Sequence, residues 1–224
     1  MKKYIFLVLI TLFLCGCSKN SAKIEMSSKT YEQDGCKAAL QIPELCAHSD
    51  FADRFNSDYT AFCDNMLNGF LAEAEKSSIK NDSLTLDQKI TLNRGDIVSI
   101  VGECHSYTGG VHDNLSRIVK NIDIKNERLI AFDDLFCDDG YITRINSYIE
   151  VLSEQKPEKF SELWKKPIVT KEQKFYLTPE SLVIFFDPYE LSYYAKGFVE
   201  IEIPYDEITS FLNPEYSGRI IKAF

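Results

Sequence analysis

Apolar residues recur along the chain with two different periods, which predicts both helices and strands. A spacing of three and four residues over 50–75 predicts an amphipathic helix with Asp50 as its N-cap. The same spacing over 141–152 predicts a second helix, which Pro157 closes. One aromatic stripe of the first helix is expected to be its buried face: Phe51, Phe55, Tyr59, Phe62, Met66 and Phe70.

Alternation of apolar and polar residues predicts the strands. It predicts a short strand over 36–42 that stops at Pro43, and an antiparallel meander with one solvated face over 84–132. Three more strands are expected at 175–177, 181–186 and 198–203, before a short helix that begins at Pro204. The predicted fold class is α+β, an antiparallel sheet with helices packed on it, in two small subdomains.

The N-terminal residues predict export and lipidation. Met1-Lys2-Lys3 is basic, and the apolar run from Tyr4 to Leu14 is too short for a comfortable transmembrane helix. Leu14-Cys15-Gly16-Cys17 resembles the lipobox of bacterial lipoproteins, which implies cleavage after Gly16 and acylation of Cys17. An ordinary signal peptide or an uncleaved anchor is the alternative.

The expected organisation follows from these segments. Residues 1–16 are a lipoprotein signal peptide, 17–31 a lipidated polar tether, 32–83 an N-terminal strand–helix subdomain and 84–224 a C-terminal α+β domain. The protein is expected to be anchored to a membrane through Cys17. It would face the periplasm or the cell exterior, on the outer membrane if the organism has one.

The net charge limits the classes of macromolecule that the protein can bind, and the cysteine count limits its disulfides. The net charge is −9, and loss of the leader removes Lys2 and Lys3 and leaves a more acidic chain. An acidic protein repels phosphate backbones, so nucleic acid is excluded as an expected partner. Five cysteines lie beyond Cys17, an odd number that leaves at least one thiol without a disulfide partner. Two disulfides are possible, Cys104 with Cys137 and Cys36 with Cys46, and the spacing of the cysteines does not decide between pairings.

Two polar and aromatic stretches are candidate binding sites. One is a Gly-Gly connection between apolar runs, and the other follows the strand at 181–186. Their candidate ligand-binding residues are Tyr107, Thr108, Gly109, Gly110, His112 and Asp113 in the first stretch, and Tyr189 and Tyr193 in the second.

The chemistry of the first stretch has two interpretations. His112 either fixes the turn by bonding backbone carbonyls, or works with Asp113 as part of a small envelope hydrolase. No catalytic residue, metal or cofactor is predicted. A zinc site using Cys104 and His105 is disfavoured because adjacent strand residues point to opposite faces.

A series of motifs resembles one known family. Ser106 to His112, Asn121-Ile122-Asp123 and Asp133-Asp134-Leu135-Phe136 occur in the family's order. They are followed by Leu182 to Glu190, Ala195-Lys196-Gly197 and Ile203-Pro204-Tyr205. Together they resemble the domain of unknown function of RsiV-like anti-sigma factors and PdaC-like peptidoglycan deacetylases, over roughly 89–212. The part ahead of it resembles, less specifically, the smaller domain that usually precedes it.

The resemblance implies an extracytoplasmic α+β module without established catalytic residues. Some members sense lysozyme, and others accompany a separate catalytic domain. The predicted function is therefore a lipid-anchored binding or sensing module of the bacterial cell envelope. Its ligand would be a wall glycan such as peptidoglycan, a lysozyme-like protein or an envelope partner. The small hydrolase using His112 and Asp113 is the alternative.

Overall fold

Nine strands and five helices make up the described part of the chain, beginning with a strand and ending with a helix. A computed structural model describes residues 22–77 and 81–221. The leader, the lipobox and Cys17 lie outside the described residues. Six strands form one sheet in the order β1-β2-β3-β4-β5-β6, and three form a second sheet in the order β7-β8-β9. The mixed α+β class predicted from the sequence is confirmed.

The described part of the chain contains the following elements. The strands are β1 (Ile24–Gln33), β2 (Cys36–Leu45), β3 (Ser83–Arg94), β4 (Ile97–Tyr107), β5 (Asn114–Asp123), β6 (Arg128–Leu129), β7 (Phe175–Leu177), β8 (Ser181–Phe186) and β9 (Val199–Pro204). The helices are α1 (Asp50–Ala74), α2 (Gly140–Gln155), α3 (Pro157–Phe160), α4 (Tyr205–Ile208) and α5 (Pro214–Ile220). In these residues no helix has both the length and the apolar character that crossing a membrane requires.

The chain divides into two compact units whose bounds differ from the expected boundary at residues 83 and 84. Of the described residues, unit 1 holds 22–77, 81–89 and 102–118, and unit 2 holds 90–101 and 119–221. The long strands β3, β4 and β5 contribute residues to both units. A boundary at one chain position therefore does not separate them.

In unit 1, helix α1 packs on β2. Its N-cap is Ser49, not Asp50, because the Ser49 hydroxyl accepts a hydrogen bond from the Ala52 amide at 3.2 Å. The predicted aromatic stripe is only partly buried, since Phe62 is 41% exposed. The buried face of the helix is instead formed by a set that shares three residues with the prediction: Ala52, Phe55, Tyr59, Cys63, Leu67 and Phe70.

The segment predicted to be a polar tether is largely the strand β1. Residues 24–33 pair antiparallel with all of β2, so most of the segment expected to be a polar tether is a sheet strand. β1 lies at the edge of the sheet, where most of its side chains stay half-exposed on both faces. Polar and apolar residues are both tolerated at such positions, so the sequence of β1 shows no clear alternation.

Strand β2 also runs past Pro43, where the sequence predicted its end. Its parallel register with β3 spans only 37–40 and 83–86, so Pro43 lies beyond this ladder and the missing N–H is tolerated. This parallel pair lies outside the meander predicted over 84–132, whose strands β3 to β6 are neighbours in chain order.

Neither open cysteine pairing forms, and the five described cysteines are free thiols. Cys36 begins β2 and Cys46 follows its end, so at about 3.3 Å per residue they lie roughly 30 Å apart. A disulfide requires Cα atoms within about 7 Å. Cys104 is buried in unit 1, and the exposed Cys137 in unit 2 donates to the Phe211 carbonyl at 3.1 Å.

Unit 2 has the larger hydrophobic core. All six residues of β8 are buried, and β9 alternates buried and exposed residues as predicted. Helix α2 contributes Tyr141, Ile145 and Ile149 to this core, which agrees with its predicted apolar face. The Phe136 and Tyr141 rings stack with centroids 3.8 Å apart.

A buried polar network joins strands of the two sheets inside unit 2. The Ser99 hydroxyl donates to Asn121 Oδ1 at 2.6 Å and accepts from the Leu177 amide at 3.0 Å. Asn121 Nδ2 donates to the Phe175 carbonyl at 2.9 Å. These bonds satisfy backbone groups on the edge of β7, which would otherwise be buried without partners.

A bidentate ion pair connects β5 with the last helix. Arg219 donates to the Asp123 carboxylate at 2.6 and 2.9 Å, and Asp123 is completely buried. Arg219 Nε also donates to the Gly95 carbonyl at 2.8 Å. Gly95 and Asp96 have φ of 56° and 61°, the signature of a type I′ turn, and a Cβ at Gly95 would lie 2.7 Å from the Arg219 carbonyl oxygen.

We predict that Asp123→Asn lowers the free energy of unfolding by about 3 kcal/mol, because it leaves the guanidinium of Arg219 without its anion. Burial acts to raise the pKa of Asp123, but hydrogen bonds from Arg219 and Asn126 outweigh it, and the pKa lies below its ordinary value of 3.8. A depressed folded pKa contributes stability above the ordinary value, and this contribution is lost as the pH falls through the folded value. Urea unfolding from pH 7 down to pH 2 measures both effects.

The control is Glu207→Gln, which removes the exposed ion pair with Arg144 and should change stability by less than about 1 kcal/mol. Two results would contradict the buried ion pair between Asp123 and Arg219. One is an equal loss of unfolding free energy in the two variants, and the other is a loss of stability at low pH that is unchanged in Asp123→Asn.

Candidate functional site

The Gly-Gly connection links β4 to β5 through residues 108–113. Gly109 and Gly110 have φ of 102° and 114°, a region that side chains other than glycine rarely adopt. Both glycines are therefore required by backbone conformation, as the sequence predicted. The following Val111 is fully exposed, so the connection presents an apolar side chain to solvent at its tip.

The side chains of this connection bond mainly to one another and to its own backbone. The Tyr107 hydroxyl donates to the Gly110 carbonyl at 3.2 Å, and His112 Nδ1 lies 2.7 Å from the Asp113 carbonyl oxygen. The Asp113 carboxylate pairs with His105 Nδ1 at 2.5 Å. The imidazole of His112 thus makes the backbone contact expected of a turn-fixing residue, and the carboxylate of Asp113 is directed to a different histidine.

The described residues bring no three His, Cys, Asp or Glu side chains together as a metal site. Cys104 is buried and His105 is exposed, as expected for neighbouring positions on a strand. These two residues therefore do not converge on one ion.

The second candidate stretch is a tight turn that leaves the end of β8 in unit 2. The Glu190 amide donates to the Asp187 carbonyl at 3.0 Å, and the Glu190 carboxylate accepts from the Asp187 amide at 3.0 Å. Pro188 occupies the first central position and Tyr189 the second, with φ of 69°. This is the pattern of a type II turn, whose second central position favours glycine.

Tyr189 is a large side chain in a conformation that costs an L-residue roughly 1–2 kcal/mol. Its ring is 59% exposed and lies 5.6 Å from the ring of Tyr194, so burial in the core does not account for it. Backbone strain of this kind is concentrated at functional sites. The turn therefore displays an aromatic ring at a conformational cost.

The segment after the turn is held against residues 162–164. The Trp164 amide donates to the Leu191 carbonyl at 3.0 Å, and the Ser192 hydroxyl donates to the Glu162 carbonyl at 2.9 Å. Leu191 and Ser192 are buried. We call the side chains displayed by these two segments the aromatic patch: Trp164, Tyr189, Tyr193 and Tyr194.

Polar contacts order one side of the aromatic patch. The Tyr193 hydroxyl donates to the Glu162 carboxylate, and this bond raises the pKa of Tyr193 above its ordinary value. Lys196 Nζ lies 2.6 Å from Glu162 and is the main cause of the lowered pKa of that carboxyl group. The Trp164 and Tyr193 side chains stay 57% and 45% exposed. The side chains of the patch are thus open to solvent on two segments joined by hydrogen bonds.

Sequence reasoning missed Trp164 as a member of this patch, because its 25-residue separation from Tyr189 gives no local signal. It also missed an open pocket of about 380 Å³ in unit 2, between β5, β6 and the segment 171–175. Leu129, Phe132 and Phe175 form its apolar wall, and Lys120 and Lys171 also line it. Its volume is within the range of small-molecule sites.

Comparisons with known proteins agree with the motif order. Residues 133–206 match the model of a protein family of unknown function, DUF3298. The anti-sigma-V factor RsiV of Bacillus subtilis is 26% identical over 198 residues, which cover 81% of this chain and 67% of that protein. Residues 133–206 thus resemble DUF3298 and the chain is similar to RsiV, in agreement with the family resemblance seen in the sequence.

Two solved structures share the fold. A crystal structure of a DUF3298 family member from Bacteroides fragilis gives a TM-score of 0.67 at 18% identity, over 87% of this chain and 96% of that one. A DUF3298 family protein from Pseudomonas aeruginosa gives 0.60 at 14% identity, over 95% and 96%. At these identities the likeness concerns the fold.

The strain at Tyr189 predicts an unusual order of stabilities. Tyr189→Gly should exceed Tyr189→Ala in free energy of unfolding by about 1 kcal/mol, because only glycine is relaxed at this φ. Tyr193, with φ of −68°, is the matched control, and there the alanine variant should be the more stable. Chemical denaturation of the four variants measures this order, and the same order at both positions would refute the strain.

Proposed function

We propose, with the RsiV-like domain as the premise, that this chain is a lipid-anchored binding or sensing module of the bacterial cell envelope. Its ligand is a wall glycan, a lysozyme-like protein or another envelope partner. The relationship to an anti-sigma factor, a regulatory protein, favours sensing over catalysis. The lipobox-like Leu14-Cys15-Gly16-Cys17 and the net charge of −9 support an extracytoplasmic position and a partner that is not nucleic acid.

The observation that carries this proposal is the exposed aromatic patch with Tyr189 held at positive φ. Aromatic faces stack on the apolar faces of sugar rings, and tyrosine and tryptophan dominate the binding energy of protein interfaces. Because the patch is fixed by backbone hydrogen bonds to residues 162–164, little conformational entropy is lost when a ligand binds. Both classes of envelope ligand can use such a surface.

The Gly-Gly connection is a second proposed contact surface, in unit 1. Tyr107, Gly110, His112 and Asp113 fix its shape, and the exposed Val111 lies at its tip with the half-buried Thr108 nearby. Loops held by their own side chains are common binding elements on rigid scaffolds. The hydrolytic alternative has less support here, since the Asp113 carboxylate pairs with His105.

Binding through the aromatic patch predicts specific losses of affinity. Tyr189→Gly and Trp164→Ala should each weaken binding to lysozyme or to soluble peptidoglycan fragments by at least about tenfold, the effect of losing one hot-spot ring. Isothermal titration calorimetry with each ligand measures this. Phe62→Ala is the control, because Phe62 is an exposed ring of unit 1 outside both proposed surfaces.

Two results would reject this binding proposal. One is the absence of any heat of binding with both ligands at millimolar concentration. The other is an equal loss of affinity in Phe62→Ala. Because Tyr189→Gly relieves the backbone strain at this φ, it removes the ring with less cost to the fold than Tyr189→Ala.

The proposed lipid anchor requires acylation of Cys17 and not of the neighbouring Cys15. Cells fed labelled palmitate should label the wild-type chain and Cys15→Ser but not Cys17→Ser, because acylation requires the thiol of the residue after the cleavage site. Fractionation should place the labelled chain with membranes. Unlabelled, full-length chain in the cytosol would contradict the anchor.

A further inference from the structure

The open pocket of unit 2 lies where the ladder between β5 and β6 ends. The short strand β6 pairs with β5 at two positions only, the second of which is Ile122↔Leu129. One more bond follows, from the Ile130 amide to the Asn121 carbonyl at 2.8 Å. Beyond it, β5 continues with no partner strand on that side among the described residues, and the pocket of about 380 Å³ opens beside it.

The ladder ends because the backbone turns at Phe132. An antiparallel continuation of β6 would place Phe132 opposite Val119, two residues beyond the bond at Ile130. Phe132 instead has φ of −58° and ψ of −46° and leads into the 3-10 turn Asp133–Leu135. Its ring packs against Phe175 with centroids 5.2 Å apart. The chain therefore leaves the sheet at the position where it would have paired with Val119.

The backbone of Val119 directs two hydrogen-bonding groups toward the pocket. In an antiparallel strand the N–H and C=O of one residue point to the same side, and residues two apart share that side. Because the Asn121 carbonyl bonds to the Ile130 amide, the N–H and C=O of Val119 also point to the side of β6. In the described chain β6 has ended there, and Val119 lines the pocket. An uncovered strand edge of this kind is a template for one more strand.

The side chains around the pocket indicate what such a strand carries. Leu129, Phe132 and Phe175 form an apolar wall, and Leu129 is 48% exposed. Lys120 also lines the pocket and is half-buried, and no carboxylate in the described part of the chain pairs with it. Alternation starts its side chain on the face of β5 opposite to Asn121, but the flexible four-carbon stem can pass around the uncovered edge.

The other charged residues of the pocket leave Lys120 as the cation for a bound anion. Lys171 is already neutralised, since its ammonium lies 2.5 Å from the Asp139 carboxylate. Glu172 is exposed, so solvent and salt screen its charge. An anionic group that enters the pocket therefore has one half-buried ammonium to meet.

We propose that this pocket binds the C-terminal end of an extended peptide, which adds to the larger sheet beside β5 where β6 ends. The peptide backbone pairs with the N–H and C=O of Val119. Its last side chain is apolar and packs on the wall formed by Leu129, Phe132 and Phe175, and its terminal carboxylate meets the ammonium of Lys120. Main-chain bonds supply the affinity of such strand addition, and side-chain pockets supply its specificity. The site shares no residue with the aromatic patch and does not rest on the function proposed for that patch.

Fluorescence polarisation with labelled hexapeptide pools tests this site on the wild-type protein. Each pool is random in its first five positions, carries the dye at its N-terminus and ends in one fixed residue. Pools that end in leucine or phenylalanine should bind at least about tenfold more tightly than a pool that ends in serine, which leaves the apolar wall uncovered. A pool that ends in leucine amide should also bind at least about tenfold more weakly, because it lacks the terminal charge.

The configuration of the last residue distinguishes two sources of the peptide. Inversion at Cα exchanges the side chain with a hydrogen, so a D-residue whose backbone pairs with Val119 directs its side chain away from the apolar wall. A protein C-terminus ends in an L-residue, whereas peptides of wall origin end in D-residues. We expect the pool ending in L-leucine to bind at least about tenfold more tightly than the pool ending in D-leucine, which identifies a protein partner.

Variants assign the individual contacts. Val119→Pro removes the outward N–H, a change that an uncovered strand edge tolerates, and should weaken binding of the leucine pool by at least about tenfold, whereas Val119→Ala keeps the N–H and most of the affinity. Lys120→Met should bring the acid and amide pools to equal affinity, because it removes the charge that distinguishes them. Lys125→Met is the matched control, since Lys125 is an exposed lysine after β5 that does not line the pocket.

Any of four results would overturn the proposal. The first is no change in polarisation with the leucine and phenylalanine pools at the highest soluble protein concentration. The second and third are equal affinities of the serine and leucine pools, and equal affinities of the D- and L-leucine pools. The fourth is a difference between acid and amide pools that is as large in Lys120→Met as in Lys125→Met. The first three use the wild-type protein, so they do not depend on how the variants fold.

Discussion

The buried hydrogen bonds between Ser99 and Asn121 are the constraint on which unit 2 depends. Ser99 lies on β4 and Asn121 on β5, and together they satisfy backbone groups of Phe175 and Leu177 on the edge of β7. Neither side chain can be replaced by an apolar one without leaving a buried donor or acceptor unpaired. Hydrophobic contacts tolerate small displacements, but these directional bonds permit one register, so they fix the position of β7 against β4 and β5.

The position of β7 also determines where the aromatic patch lies. β7 pairs with β8 from Phe175↔Ile184 to Leu177↔Leu182, and the turn carrying Tyr189 begins directly after β8. The completely buried β8 is a rigid support, so strain in the turn is borne by the surrounding core and does not relax by moving the strand. An exposed binding surface is thus positioned by a polar contact deep in unit 2.

The sequence was informative wherever the period of apolar residues was set by local packing. It predicted α1, α2 and β7 to β9 near their observed bounds, and it identified the Gly-Gly connection from glycines that the backbone requires. It missed β1, because an edge strand that stays half-exposed has no clear alternation. The parallel pairing of β2 with β3 was also missed, since a partner 46 residues away in sequence leaves no local trace.

The candidate sites divide in the same way. The tyrosines after β8 were found because proline and aromatic residues cluster in the sequence, but the positive φ of Tyr189 depends on which turn the flanking hydrogen bonds close. Trp164 and Tyr189 are 25 residues apart, and the hydrogen bond from the Trp164 amide to the Leu191 carbonyl joins their segments only in the folded chain. Local pattern therefore predicts which groups are available, and tertiary contacts decide which of them meet.

The contact of Arg219 with the Gly95 turn and Asp123 bears on when unit 2 can fold during synthesis. It closes a loop of 124 residues and involves the last described helix of the chain. Contacts so distant in sequence form late, after shorter-range elements. Unit 2 therefore cannot complete its core until residues 214–220 have left the ribosome tunnel.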